Sequence, residues 1–75
     1  MDEKKYFEYN ISLKILNYDL SKIESSLKHC NDYINKNLND SYTEYCNNYK
    51  LQLEKLKLKK INAINQLNQK YLGKV

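Results

Sequence analysis

The feature that most constrains the fold is a regular stripe of apolar residues in the first half of the chain. From residue 6 to residue 34, an apolar residue recurs at alternating steps of three and four positions. This heptad spacing is typical of a long helix that packs lengthwise against another helix. It predicts one helix over residues 3–37. The stripe consists of Tyr6, Tyr9, Leu13, Leu16, Leu20, Ile23, Leu27, Cys30 and Ile34.

A polar segment follows the stripe and predicts a turn. Residues 35–41 include three asparagines and an aspartate, whose side chains compete with helical backbone hydrogen bonds. Ser41 and Glu44 then have the spacing of a capping box, which marks a helix start. We therefore expect a turn at 38–41 and a second helix over 42–72, with Gly73 positioned to end it.

The second helix carries a less regular apolar pattern, which slips near residues 57–61 and predicts a stutter in the heptad. Two of its tyrosines, Tyr42 and Tyr49, are expected in the core, and the spacing of the eight tyrosines indicates no stacking platform. The expected core positions are Tyr42, Cys46, Tyr49, Leu53, Leu56, Lys60, Ala63 or Ile64, Leu67 and Tyr71.

The two patterns mirror each other about residue 38. Residues whose numbers sum to 76 would face one another, so that Cys30 meets Cys46 and Ile23 meets Leu53. The chain has no proline and a single glycine, so the turn residues that a β-rich fold needs are absent. The predicted fold class is all-α, a coiled-coil-like antiparallel hairpin of two helices forming a single domain over residues 1–75.

A second line of apolar residues suggests that the hairpin has a partner. Two helices bury only one stripe each, which leaves a chain of 75 residues marginally stable. We expect the second line to pack against another copy, giving a homodimeric four-helix bundle, or against a helical protein partner. Its expected interaction face consists of Phe7, Ile11, Ile15, Tyr18, Leu58 and Ile61.

Lysines cluster in the second helix, and two interpretations stay open. Their stems can cover neighbouring leucines on a solvated flank. Alternatively, they can contact the phosphates of a nucleic acid, to which a chain of net charge +4 is attracted. The candidate phosphate contacts are Lys57, Lys59 and Lys60.

Cys30 and Cys46 are the sharpest local feature, and they too allow two interpretations. They are either two buried free thiols or a disulfide that staples the hairpin near its turn. The single histidine, His29, is expected on the surface because it and Cys30 point along different helix faces. We expect no metal site and no cofactor.

The sequence contains no pattern that predicts catalysis. It lacks a glycine-rich phosphate loop, a nucleophile paired with a base, and clustered metal ligands. Without a long apolar run or a signal peptide, the chain is expected to be soluble and cytoplasmic, with no membrane contact and no small-molecule substrate. The predicted function is a small non-catalytic protein–protein interaction module, such as an assembly subunit, adaptor or inhibitor. The alternative is a nucleic-acid-binding regulator formed by a basic helical-hairpin dimer.

Overall fold

Two long helices make up the fold. The structure, a computed structural model, describes residues 2–73. Helix α1 spans Glu3–Ile34 and helix α2 spans Ser41–Leu72, 32 residues each. They run antiparallel, since side chains near the start of α1 bond to side chains near the end of α2. The residues that the structure describes contain no strand, so the fold is all-α, as predicted.

Each helix begins at an aspartate that accepts hydrogen bonds from the first turn. The Asp2 carboxylate accepts from the backbone N–H of Lys5 at 2.8 Å. The Asp40 carboxylate accepts from the backbone N–H of Thr43 at 2.8 Å and from the Thr43 hydroxyl at 3.0 Å. The predicted capping box is therefore wrong. Ser41 is the first helical residue, because the stronger acceptor one position earlier takes the N-cap.

The connection between the helices uses asparagines in the left-handed backbone region. Asn37 has φ 57° and Asn39 has φ 52°, a conformation that asparagine adopts more readily than most residues. The loop covers residues 35–40, so α1 ends three residues earlier and α2 begins one residue earlier than expected. At the other end of α2, Gly73 has φ 64° and its N–H bonds to the Gln69 carbonyl, which terminates the helix as the sequence predicted.

The core between the helices is thin. Its buried hydrophobic residues are Ile23 and Cys30 from α1 and Cys46 and Leu53 from α2. The molecule is a rod of 55 × 19 × 13 Å with a radius of gyration of 16.7 Å. A compact domain of this length has a radius of about 11 Å. Most of each helix surface therefore remains uncovered.

The α2 stripe that faces α1 is displaced by one residue from the predicted one at three positions. Tyr42, Tyr49 and Leu56 were expected in the core and are exposed. The positions immediately after them carry the less exposed side chains instead. With those positions included, the steps of three and four continue along α2 without a stutter. The observed stripe consists of Thr43, Cys46, Lys50, Leu53, Lys57, Lys60, Ile64, Leu67 and Tyr71.

At the open end of the hairpin, hydrogen bonds from tyrosine hydroxyls connect the two helices. Tyr9 donates to the Asn68 side-chain carbonyl at 2.7 Å, and Tyr71 donates to the Glu8 carboxylate at 3.3 Å. The Tyr9 and Tyr71 rings lie 5.8 Å apart at their centroids. Tyr6, by contrast, was expected in the stripe and is exposed near the helix end.

Candidate interaction surfaces

The outer side of α1 carries a line of exposed large apolar side chains, which we call the α1 outer line. It consists of Phe7, Ile11, Ile15 and Tyr18, whose exposed fractions run from 43% to 66%. Ile11 lies two positions from both Tyr9 and Leu13 of the inner stripe. Since a helix turns about 100° per residue, Ile11 points about 200° away from them. The line therefore faces away from α2.

Two interhelical salt bridges mark the two sides of the hairpin. Glu24, which follows the buried Ile23, pairs with Lys57 at 3.7 Å. Asp19, which lies on the other flank of the inner stripe, pairs with Lys60 at 3.0 Å. The bridges thus lie on opposite sides of the plane through both helix axes.

The six residues of the expected interaction face do not lie together. Ile15 is four positions before Asp19 and shares its side, whereas Ile61 is four positions after Lys57 and shares the opposite side. Leu58 is exposed, and Ile61 is only partly exposed. The α1 outer line is continuous, but Leu58 and Ile61 belong to a different surface. Whether either surface binds a partner stays a prediction.

Two of the three candidate phosphate-binding lysines already have anionic partners within the chain. Lys60 is the more covered of the two, with 29% of its side chain exposed, and Lys57 is partly exposed beside Glu24. Their positive charge is therefore partly neutralised where a phosphate would bind. Lys59 lies on an exposed part of α2.

A groove lined by tyrosines, near the turn, is the surface that the sequence interpretation missed. Tyr42, Tyr45 and Tyr49 form a row in which successive ring centroids are 5.7 Å apart and successive planes differ by 20° and 9°. The His29 Nε2 lies 3.0 Å from the Tyr42 hydroxyl. Together with α1 they enclose an open cavity of about 310 Å³. Its lining residues are Ser25, Ser26, His29, Cys30, Tyr42, Tyr45 and Tyr49.

The groove continues along α2 beyond Tyr49. A second cavity of about 330 Å³ shares Tyr49 with the first and extends the concave surface away from the turn. It is lined by Tyr49, Gln52, Leu53, Lys55, Leu56 and Lys59. We call the two cavities together the tyrosine groove. Its residues and those of the α1 outer line do not overlap, so the two surfaces can act separately.

The two cysteines are buried free thiols that lie next to each other. Cys30 is 3% exposed and Cys46 is 1% exposed. Burial raises the pKa of the Cys30 thiol, and the neighbouring Cys46, with which it shares a hydrogen bond, raises it further. A thiol held in its neutral form is a poor nucleophile. The pair packs the core while holding two sulfur atoms in reach of each other.

Within residues 2–73, no group of three or more histidine, cysteine, aspartate or glutamate side chains is arranged to hold a metal ion. In the same part of the chain, neither helix combines the length and the apolarity needed to cross a membrane.

The geometry defines a class of protein, an extended α-helical hairpin with an apolar outer line on α1 and a tyrosine groove that is lined by both helices near the turn and by α2 alone farther away. Comparison with known proteins adds no relative to this description. No protein-family model, no curated protein and no solved structure matches the chain.

Proposed function

We propose that this chain is a non-catalytic interaction module that works by packing the α1 outer line against a second copy of itself. Because the line faces away from α2, the two α1 helices would lie against each other with each α2 on the outside, in place of the four-helix bundle that the sequence suggested. The observation that carries the proposal is the run of exposed side chains Phe7, Ile11, Ile15 and Tyr18. An apolar line of this length on one helix face is typical of a surface that is covered in use.

The accessible surface of the hairpin supports the need for a partner. It amounts to 5952 Å². A compact monomer of 9.0 kDa exposes about 4,900 Å², so the hairpin carries an excess of about 1,000 Å². A standard protein–protein interface covers about 800 Å² on each partner. One such interface per chain would remove most of the excess.

The order of residues in the α1 outer line favours a second copy as the partner. Read in either direction, the line is an aromatic residue, two isoleucines and an aromatic residue. A two-fold axis near residues 12–13 would set Phe7 over Tyr18 and Ile11 over Ile15 of the other copy. Such self-complementarity is what an isologous dimer interface requires.

The experiment is a measurement of mass in solution by sedimentation equilibrium, with circular dichroism to check helicity. We expect a species of twice 9.0 kDa for the natural chain. We expect a helical monomer for the double variant Ile11→Glu, Ile15→Glu, because four buried charges per dimer would oppose association. The matched control is Leu58→Glu, which charges an equally exposed apolar residue on α2 and should remain dimeric.

A monodisperse 9.0 kDa monomer with a cooperative melt would contradict self-association. Capture of a helical protein partner that depends on Ile11 and Ile15 would then assign the α1 outer line to a heterologous complex.

The alternative function, a nucleic-acid-binding regulator that uses Lys57, Lys59 and Lys60, has less support. The salt bridges to Glu24 and Asp19 occupy two of those three lysines. This function predicts an affinity for nucleic acid that falls steeply with salt and is lost when all three lysines are replaced by glutamine.

A further inference from the structure

We infer that the tyrosine groove binds single-stranded nucleic acid, with bases against the tyrosine rings and phosphates beside Lys55 and Lys59. This inference does not depend on the proposed dimer, since the groove and the α1 outer line share no residue. Of the two lysines in the groove, Lys59 is one of the three that the sequence suggested, and Lys55 is not.

The half of the groove nearest the turn has the chemistry of a base-stacking surface. The rings of Tyr42, Tyr45 and Tyr49 are nearly parallel, their residues are 39% to 56% exposed, and all three line the cavity. Stacking on aromatic side chains tolerates any base, because every base presents a π face. Ser25 and Ser26 on the opposite wall supply hydroxyl groups that can bond to base edges or sugars.

The half of the groove farther from the turn has the charge that a phosphate backbone needs. Lys55 and Lys59 line it. No aspartate or glutamate lines either described cavity, so no anion of the groove competes with a phosphate. Asp19 of α1 is itself paired with Lys60 at 3.0 Å.

The length of the groove also fits a short single strand. Tyr42 and Lys59 are 17 positions apart on one helix, which corresponds to about 25 Å. Single-strand-binding surfaces of other proteins accommodate about four nucleotides or more. An acidic, proline-rich peptide is the other occupant that an aromatic and basic groove would take. The nearly parallel tyrosine rings favour the flat bases of a nucleic acid.

The experiment measures binding of a fluorescein-labelled oligonucleotide of eight thymidines by fluorescence anisotropy at several salt concentrations. Tyr45→Ala should weaken binding by about 5-fold or more, because it removes a central ring of the row. The matched control is Tyr6→Ala, which removes a similarly exposed tyrosine that belongs neither to the groove nor to the α1 outer line, and it should change affinity little.

The charge contribution is tested with the double variant Lys55→Gln, Lys59→Gln. Each phosphate contact on a single strand adds about 0.7 to the slope of log affinity against log salt, so losing two should reduce that slope by about 1.4. The double variant Lys4→Gln, Lys14→Gln, which changes two exposed lysines on α1 outside the groove, is the control for net charge and should leave most of the slope.

Three results would overturn the inference. One is no binding of the oligonucleotide at low salt, and another is equal losses in the groove variants and their controls. The third is binding of an acidic, proline-rich peptide in the groove with none of the oligonucleotide. The variant Ile11→Glu, Ile15→Glu separates this inference from the proposed dimer, because the groove should bind the oligonucleotide whether or not the chain dimerises.

Discussion

At the scale of single residues, Asp40 organises the turn end of the hairpin. Its carboxylate caps α2 through Thr43 and also accepts a hydrogen bond from the Tyr33 hydroxyl at 2.7 Å, which ties the end of α1 to the start of α2. The hydrogen bond from Tyr33 lowers the pKa of Asp40, helped by the Thr43 N–H. The same bond is the main cause that raises the pKa of Tyr33 from 10.0 to about 12.

These pKa shifts predict how stability depends on pH. Because folding lowers the pKa of Asp40, its contribution is present above the ordinary aspartate pKa and is lost as pH falls through the folded value. Because folding raises the pKa of Tyr33, its contribution is present below pH 10 and is lost as pH rises toward 12. Asp40→Asn keeps a capping side chain but removes the charge. The loss of stability at low pH and the loss at high pH should therefore both be smaller in this variant.

The measurement is urea unfolding of the natural chain and of Asp40→Asn across the pH range, followed by circular dichroism. Asp32→Asn, an exposed carboxylate that pairs only with Lys28 along α1, is the control. An Asp40→Asn variant with the same pH profile as the natural chain would show that the Tyr33–Asp40 bond contributes nothing to stability.

At the scale of the helices, the sequence predicted α1 well and α2 less well. The α1 stripe is built from leucine, isoleucine, cysteine and tyrosine, so apolar character and position agree. In α2 the predicted and observed stripes differ by one residue at three positions, and the apolar residues predicted there, Tyr42, Tyr49 and Leu56, are exposed. The inner stripe instead contains lysines whose stems lie along the seam while their charges meet Glu24 and Asp19.

The tyrosine groove could not be predicted for the same reason. With Tyr42 and Tyr49 assigned to the core, Tyr45 stood alone on the flank and no row was visible. All three tyrosines lie on one face of α2, and in the structure that face lies beside the core rather than in it, so that their rings stack on the surface. The inner stripe includes Lys57 and Lys60, which pair with acids on the facing helix, and hydrophobic periodicity alone does not predict lysines at inner positions.

Leu53 and Leu56 were both expected in the core, but the observed register of α2 predicts that replacing them by alanine will lower the free energy of unfolding by different amounts. Leu53→Ala should lower the free energy of unfolding by about 2–5 kcal/mol, because Leu53 is 5% exposed and its loss leaves a cavity. Leu56→Ala should cost about 1 kcal/mol or less, because Leu56 is 41% exposed. Chemical denaturation of both variants tests this, and equal costs would contradict the register of α2.

At the scale of the whole molecule, the hairpin is long, thin and held by distributed contacts. The buried core lies toward the turn, from Ile23 to Leu53, and the open end depends on hydrogen bonds of Tyr9 and Tyr71. Because the two helices are joined only through the loop at residues 35–40, a covalent link between them would act on global unfolding. The pair Cys30 and Cys46 lies where such a link would fall.

We predict that a small-molecule disulfide such as oxidised glutathione converts the two thiols into a Cys30–Cys46 disulfide. One thiolate attacks the reagent and releases reduced glutathione, and the second thiolate then displaces another. The closed loop of about 15 residues should add up to about 3 kcal/mol to the free energy of unfolding.

Burial raises the pKa of Cys30, so the reaction should be slow at neutral pH and faster at higher pH. Intact mass should fall by two hydrogen atoms, and the melting temperature should rise on oxidation and return to its original value when reductant is added. Cys46→Ser should show neither change, and a lower melting temperature after oxidation would mean that the bridge distorts the helix packing.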